Sequence, residues 1–131
     1  MTSGYLLDTN VCIDFLLGRS AALAERVGNS FGALAVSAIT AAELRVGSRT
    51  SSDPKGDMRR VDTFLSMLDI VPFDARAAAS YADVVRHVGV RRKSFDRLIG
   101  AQALLLGLTL VTRNERDFAD ISGLRLENWT L

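Results

Sequence analysis

The sequence contains few of the residues on which several common chemistries depend. It has one histidine, His87, and one cysteine, Cys12, among 131 residues. A ribonuclease that uses two histidines as acid and base is therefore excluded, and a zinc site of histidine or cysteine has too few ligands. No nucleophile-elbow motif accompanies His87, which leaves a serine hydrolase without support. Because a single cysteine forms no internal disulfide, we expect a reducing, cytoplasmic location.

Long apolar runs and an excess of one charge are also missing. No run approaches the roughly 18 residues of a membrane helix, and the first residues lack the basic flank and apolar stretch of a signal peptide. The net charge is +1, which argues against a large, promiscuous nucleic-acid surface. The chain is nevertheless 48% hydrophobic and 24% charged, as a globular protein is. We therefore expect one domain over residues 1–131, with no membrane association.

Short apolar segments alternate with segments of helical spacing along the chain. Strands are predicted over residues 5–7, 34–39, 70–73, 108–111 and 124–126. Helices are predicted over residues 10–17, 21–27, 40–47, 57–68, 75–88 and 94–106. Because the strands are apolar throughout, a parallel sheet covered on both faces is favoured. The prediction is an α/β fold, a three-layer sandwich around a central, mostly parallel sheet of four to five strands.

Acidic side chains follow several of these strands, at the sheet edge where ligands bind in such folds. Asp8 follows the first strand, Glu43 lies just after the second, and Asp117 follows the fourth. Asp96 opens the helix that leads into the fourth strand. Four carboxylates in one small site repel each other unless cations are present, and Mg²⁺ or Mn²⁺ is the usual occupant. The pattern predicts metal-dependent phosphodiester hydrolysis that needs no histidine.

Each acid also has an ordinary structural interpretation. Asp8 suits a helix N-cap, and Thr40 with Glu43 has the spacing of a capping box. Asp96 suits the first turn of a helix, and Asp117 suits a surface turn. The set of four is more specific than any one of its members.

A basic segment lies beside one of these acids. Between Arg86 and Arg97 the chain has five basic residues and a single acid, Asp96. A basic run is usually a solvated face, but here it borders a candidate catalytic acid. The predicted contacts to RNA phosphates are Arg91, Arg92, Lys93 and Arg97.

Four segments and a short ending resemble the PIN-domain family, and within it the VapC toxins of bacterial type II toxin–antitoxin pairs. They are residues 6–10 (LLDTN), 37–44 (SAITAAEL, followed by Gly47), 96–101 (DRLIGA), 112–118 (TRNERDF) and 128–129 (NW). Each segment is weak evidence alone, whereas all of them in this order and spacing are specific. The departure from the family pattern is Gly100, where alanine is common.

The resemblance implies a Mg²⁺-dependent endoribonuclease, with Mn²⁺ as a substitute and an acidic quartet at its centre. The quartet consists of Asp8, Glu43, Asp96 and Asp117, which serve as catalytic residues and metal ligands. Supporting residues that position the acids or the water are Thr9, Asn10, Thr112 and Asn114. Members of the family cut RNA, often tRNA or ribosomal RNA, and usually form homodimers. A cognate VapB-type antitoxin, itself a DNA-binding protein, blocks the site.

Other interpretations of the same residues stay open from the sequence. A response-regulator-like signalling domain also places an aspartate after its first strand, but it needs a paired acid where Leu6 and Leu7 stand and a lysine beyond Lys93. A phosphatase with Asp8 as its nucleophile needs a second acid two residues later, where this chain has Asn10. A PIN-like subunit that binds RNA without cutting it differs only in activity.

Overall fold

A parallel sheet of five short strands forms the centre of the computed structural model, which describes residues 4–90 and 94–131. The strands are β1 Tyr5–Leu7, β2 Leu34–Ser37, β3 Asp69–Val71, β4 Thr109–Val111 and β5 Leu126–Glu127. Their order across the sheet is β3-β2-β1-β4-β5, and every neighbouring pair is parallel. The predicted α/β fold is confirmed, and β3, whose end is marked by Pro72, lies at an edge as a proline there suggests.

In the described part of the chain, six helices connect these strands. They are α1 Thr9–Leu16, α2 Ala21–Gly28, α3 Ala38–Arg49, α4 Pro54–Ser66, α5 Ala75–Val88 and α6 Asp96–Leu106. Short 3-10 turns over Phe31–Ala33 and Glu115–Asp117 follow α2 and β4. Among the residues described, no helix has the length and hydrophobicity to cross a bilayer.

The sheet separates two apolar cores, because successive residues of a strand point to opposite faces. Leu7 packs into a core with α1, α2, α3 and α4, whereas the adjacent Leu6 packs into a second core with α5 and α6. Both leucines are fully buried. This arrangement is the expected three-layer sandwich, and it fixes which residues leave each strand at the carboxyl edge.

The start of α3 differs from the sequence prediction. A strand was expected to Ile39 and a helix from Thr40, but β2 ends at Ser37 and α3 begins at Ala38. The Ser37 hydroxyl accepts a hydrogen bond from the backbone N–H of Ile39 at 3.1 Å and so caps the helix. Glu43 consequently lies in the second turn of α3. The capping-box interpretation of Glu43 is wrong, because the residue is too far from the helix start to serve its cap.

The two ends of the described chain meet on one side of the sheet. The Tyr5 and Trp129 rings pack edge to face with their centroids 4.8 Å apart. Trp129 is 2% exposed, and the Arg26 guanidinium lies over its ring. Trp129 therefore links the last strand and the first through packing.

Candidate active site

The candidate site lies at the carboxyl edge of the central strands. Strand β1 is flanked by β2 and β4, so the residues that follow these three strands leave the sheet side by side. The backbone N–H of Asp8 donates to the Val111 carbonyl at 3.0 Å, which places Asp8 beside Thr112. Site residues far apart in the sequence are thus neighbours because the sheet order is not the chain order.

Asp8 is buried at this edge and has a structural role as well. Asp8 is 3% exposed. Its carboxylate accepts a hydrogen bond from the Val11 N–H at 2.8 Å, which makes Asp8 the N-cap of α1. Burial raises the pKa of Asp8 from an ordinary 3.8 to about 6, although hydrogen bonds from Thr112 and Val11 oppose the shift. The negative charge of Asp96 raises this pKa further, and the positive charge of Arg113 lowers it. Asp8 and Asp96 are therefore close enough to repel each other.

Glu43 is held by a short chain of hydroxyl groups. The Thr9 hydroxyl donates to Glu43 Oε1 at 2.7 Å and lies 3.0 Å from the Thr40 hydroxyl. Because Thr9 gives its one proton to Glu43, Thr40 must donate to Thr9. The chain connects the first residue of α1 to the second turn of α3, and it fixes the orientation of the Glu43 carboxylate.

Thr40 is a site residue that the sequence analysis did not single out. It is fully buried, yet its hydroxyl has a partner in Thr9. Thr40 lies three residues before Glu43, so the two share a face of α3. This spacing was a usable signal, but it was interpreted as a capping box.

Two of the four acids face an open cleft of about 410 Å³. Its lining residues are Thr9, Asn10, Ile13, Glu43, Ser94, Phe95 and Asp96. Asp96 is the first residue of α6, and its backbone N–H donates to the Ser94 hydroxyl at 3.0 Å. The structure therefore brings Glu43 and Asp96 to one cleft and couples Asp8 to Asp96.

Asp117 is placed differently from the other acids. It ends the 3-10 turn after β4 and is not among the residues that line the cleft. The loop that carries it folds back on Thr112, whose hydroxyl accepts from the Asn114 N–H at 3.0 Å. The next residue, Phe118, is buried against Gly100, where an added Cβ would lie 3.2 Å from the Phe118 ring. Asp117 as a metal ligand stays a prediction.

The oxygen atoms around the cleft fit a hard divalent cation. Within residues 4–90 and 94–131, no three acidic, histidine or cysteine side chains form a ready-made metal cluster. However, the cleft offers carboxylate, amide and hydroxyl oxygens, and Mg²⁺ typically binds through one or two carboxylates while it keeps several waters. A cation here would also relieve the repulsion between Asp8 and Asp96. Both the ligand chemistry and the electrostatics of the site therefore suit Mg²⁺.

One predicted RNA contact is wrong, and three lie outside the described residues. Arg97 is 4% exposed, and its guanidinium makes a two-pronged ion pair with Asp120 at 2.8 and 3.2 Å. Its helical position turns it into the protein, so it is not available to a phosphate. The other three candidates, Arg91, Arg92 and Lys93, lie outside the described residues.

The chain is similar to known proteins over almost its whole length. The PIN domain model matches residues 5–124. A tRNA(fMet)-specific endonuclease VapC of Shigella flexneri is 33% identical, covering 96% of this chain and 98% of that protein. Ribonuclease VapC2 of Haemophilus influenzae (strain ATCC 51907 / DSM 11121 / KW20 / Rd) is 34% identical, covering 95% of this chain and 97% of that protein.

Solved structures give the same result for the fold. The crystal structure of DNA-bound VapBC from Salmonella typhimurium superposes with a TM-score of 0.88 at 30% identity, covering 96% of this chain and 98% of that chain. VapBC2 from Rickettsia felis, bound to a DNA fragment from its promoter, superposes with a TM-score of 0.84 at 30% identity, covering 95% and 98%. With the family model, the curated relatives and the sheet order in agreement, the chain belongs to the PIN domain family, in its VapC branch.

Proposed function

We propose that this protein is the toxin of a type II toxin–antitoxin pair and a Mg²⁺-dependent endoribonuclease that hydrolyses RNA phosphodiester bonds. The observation that carries the proposal is the convergence of Asp8, Glu43 and Asp96, from three distant segments, on one edge of the sheet. Relatives named as ribonucleases and as a tRNA(fMet)-specific endonuclease support RNA as the substrate and tRNA as its class. A response-regulator-like role is excluded by family membership.

Some side chains of the site would bind a metal ion, and others orient these ligands through hydrogen bonds. Asp8, Glu43 and Asp96 would hold Mg²⁺, or Mn²⁺ in its place, with Asp117 as a fourth proposed ligand. When bound, the ion supplies an activated water and neutralises charge on the phosphate. Thr112 and the Val11 N–H hold the Asp8 carboxylate, and Thr9 holds that of Glu43. Further positioning roles are proposed for Asn10, at the cleft, and Asn114, which is bonded to Thr112.

A VapB-type antitoxin is the proposed inhibitor of this site. Similar solved structures are toxin–antitoxin complexes. An apolar groove between α1, α3 and α4 shares Ile13 and Glu43 with the acidic cleft, and Leu17 on its wall is 60% exposed. An antitoxin segment seated in this groove would reach the cleft with a basic side chain, most suitably an arginine, which pairs with two carboxylate oxygens at once. A homodimer and a cytoplasmic location, consistent with the unpaired, buried Cys12, complete the proposal.

The metal requirement is tested by an RNA cleavage assay with purified protein and tRNA. We expect cleavage in Mg²⁺, none in excess EDTA, and recovery when Mg²⁺ or Mn²⁺ is added back. Asp96→Asn should remove the recovered activity, because a neutral amide binds a divalent ion far more weakly. The matched control is Asp83→Asn on the exposed side of α5, which should cleave like the parent.

Two outcomes would contradict the proposal. Undiminished cleavage in EDTA would reject metal-dependent hydrolysis. RNA binding with no cleavage in either metal ion would instead make the protein a silent RNA-binding member of its family.

A further inference from the structure

A buried carboxylate beside the candidate site holds two arginines. Asp14, on α1, is 2% exposed. Its Oδ1 accepts from Arg19 Nη1 at 3.1 Å, and its two oxygens lie 3.2 and 3.0 Å from Arg113 Nη1. One guanidinium is enough to neutralise one carboxylate. The group therefore has one positive charge more than the burial of Asp14 requires.

Both arginines keep most of their hydrogen-bond donors for another partner. The side chains of Arg19 and Arg113 are 54% and 42% exposed. Each contacts Asp14 through Nη1 alone, and within the described ranges Nε and Nη2 of both make no side-chain bond. A guanidinium has five N–H donors in a planar fork that suits phosphate. Each of the two guanidinium groups is thus bound to Asp14 through Nη1, while its remaining N–H donors are open to solvent.

The position of the pair relates it to the acidic cleft. Asp14 lies four residues after Asn10, which lines the cleft, so the two share a face of α1 one helical turn apart. Arg113 lies between Thr112 and Asn114, in the loop that leaves β4 at the same edge of the sheet. An RNA strand whose reacting phosphate is in the cleft would therefore pass its neighbouring phosphate close to these arginines.

We infer that Arg19 and Arg113, held by Asp14, form a binding site for an RNA backbone phosphate next to the one that is cleaved. The inference rests on the proposed function, and it names substrate-binding residues for that same site. The acidic cleft repels the RNA backbone, and a fixed positive pair at its border offsets this repulsion without raising the net charge of the protein. The tether on Asp14 also reduces the loss of side-chain freedom when the phosphate binds.

The test compares Arg19→Gln and Arg113→Gln with the parent in RNA cleavage with Mg²⁺. We expect each change to raise KM about tenfold, as the loss of one charged hydrogen-bonding contact does. For Arg19→Gln kcat should stay unchanged, whereas Arg113→Gln also removes a positive charge that acts on Asp8 and is therefore judged by KM and RNA binding. The slope of log KM against log salt should fall by about one for each arginine removed. The melting temperature should hold, because the remaining arginine still neutralises Asp14. Arg113→Lys, which keeps the charge but loses the fork, should give an intermediate KM.

The matched control is Arg125→Gln, which removes one positive charge at the opposite edge of the sheet. Arg125 donates to the Gly107 carbonyl and the Thr109 hydroxyl, at the start of β4, and its change should leave KM unaltered. Asp14→Asn adds the opposite kind of evidence, because it makes the protein more positive while it releases both arginines. A tethered site predicts a higher KM for Asp14→Asn, whereas a simple charge effect predicts a lower one.

RNA binding is measured separately, by the anisotropy of a labelled short single-stranded RNA in a Glu43→Gln background. Weaker binding on loss of either arginine supports the inference whether or not the parent cleaves. Unchanged KM and RNA binding, with a lower melting temperature, would overturn the inference. Asp14, Arg19 and Arg113 would then only stabilise the contact between α1 and the loop after β4. An equal effect of Arg125→Gln would also overturn it. Absence of cleavage by the parent counts against the proposed function alone.

Discussion

Asp8 combines a structural role with a proposed chemical one, and the two have opposite effects on stability. As the N-cap of α1 its carboxylate stabilises the helix. As a buried carboxylate near Asp96 it is costly to ionise, and its pKa is raised to about 6. The folded protein therefore holds a proton on Asp8 at pH values where the unfolded chain has already released it.

We expect Asp8→Asn to stabilise the metal-free protein while it removes RNA cleavage. Between pH 3.8 and about 6 the folded state binds more protons than the unfolded state, so the Asp8 contribution to the free energy of unfolding falls as pH rises. Asparagine keeps the capping acceptor without this titration. The variant should gain up to about 3 kcal/mol over the parent above pH 6, and the gain should vanish below pH 3.8. Urea unfolding in EDTA across this range measures it.

The control for Asp8→Asn is the same change at another helix cap. Asp74 caps α5 and accepts from the Ala77 N–H at 3.0 Å, but it is exposed. Asp74→Asn changes a capping carboxylate that is already in contact with solvent, so it should shift the free energy of unfolding far less than Asp8→Asn does above pH 6. A pH-independent gain for Asp8→Asn would contradict the buried-charge explanation.

Glu43→Gln should preserve the fold and remove most RNA cleavage. Glutamine still accepts from the Thr9 hydroxyl, so the hydroxyl chain stays intact, but it lacks the negative charge that a divalent cation needs. Because α3 is capped by Ser37, Glu43→Ala should cost no capping energy either. Melting curves with cleavage assays test both variants, with the exposed Glu25→Gln on α2 as control. A Glu43→Gln protein that cuts RNA like the parent would remove Glu43 from the site.

The element boundaries show what the sequence predicted and where tertiary structure decided instead. Helix α5 was predicted over residues 75–88 and is observed there, because Asp74 and Gly89 give clear signals at its ends. Helix α3 was misplaced because Ser37 and Thr40 are both suitable caps. The choice between them depends on how far β2 pairs with its neighbour, and the last pair is Ser37 with Val71. Local sequence patterns do not reveal pairing between Ser37 and Val71, which are 34 positions apart in the chain.

The candidate site, like the boundaries of the helices and strands, was predicted only in part. Asp8 and Glu43 were predicted from strand ends and Asp96 from a helix start, and the order of the strands explains why these segments meet at one edge of the sheet. Arg97 was misjudged because charge alone does not tell which helical face is covered, here by Asp120. The hydroxyl chain through Thr40 depends on two helices that touch, which no single segment encodes.

Thr40 gives a test of the contact between α1 and α3. We expect Thr40→Val to lower kcat roughly tenfold, because Thr9 loses the donor that orients it toward Glu43. Stability should fall by about 1 kcal/mol, as for one buried hydrogen bond. Thr40→Ser keeps the hydroxyl and should restore kcat, and Thr63→Val on the exposed side of α4 is the control. Equal stability loss in Thr40→Ser and Thr40→Val, with kcat unchanged in both, would limit Thr40 to packing.

The charge distribution of the whole molecule predicts a ligand effect on stability. The net charge is only +1, but the cleft itself is acidic. Cations that bind in the cleft bind the folded state alone and should therefore raise the free energy of unfolding. Mg²⁺ at about ten times its dissociation constant adds about 1.4 kcal/mol, or roughly 5 °C in melting temperature for a chain of this size. Differential scanning fluorimetry should show this shift for the parent and not for Asp96→Asn. A shift of the same size in both would place the ion elsewhere.

The order of the strands also determines when the acids first meet during synthesis. Strand β1 is synthesised before the other strands of the sheet and lies in its middle, and one of its partners, β4, begins only at Thr109. Contacts between residues this distant in the chain form slowly, after a large loop has closed. A nascent chain that ends before β4 therefore has Asp8 and Asp96 without the strand pair that brings them together. The topology of the sheet thus delays assembly of the proposed site until β4 has been synthesised.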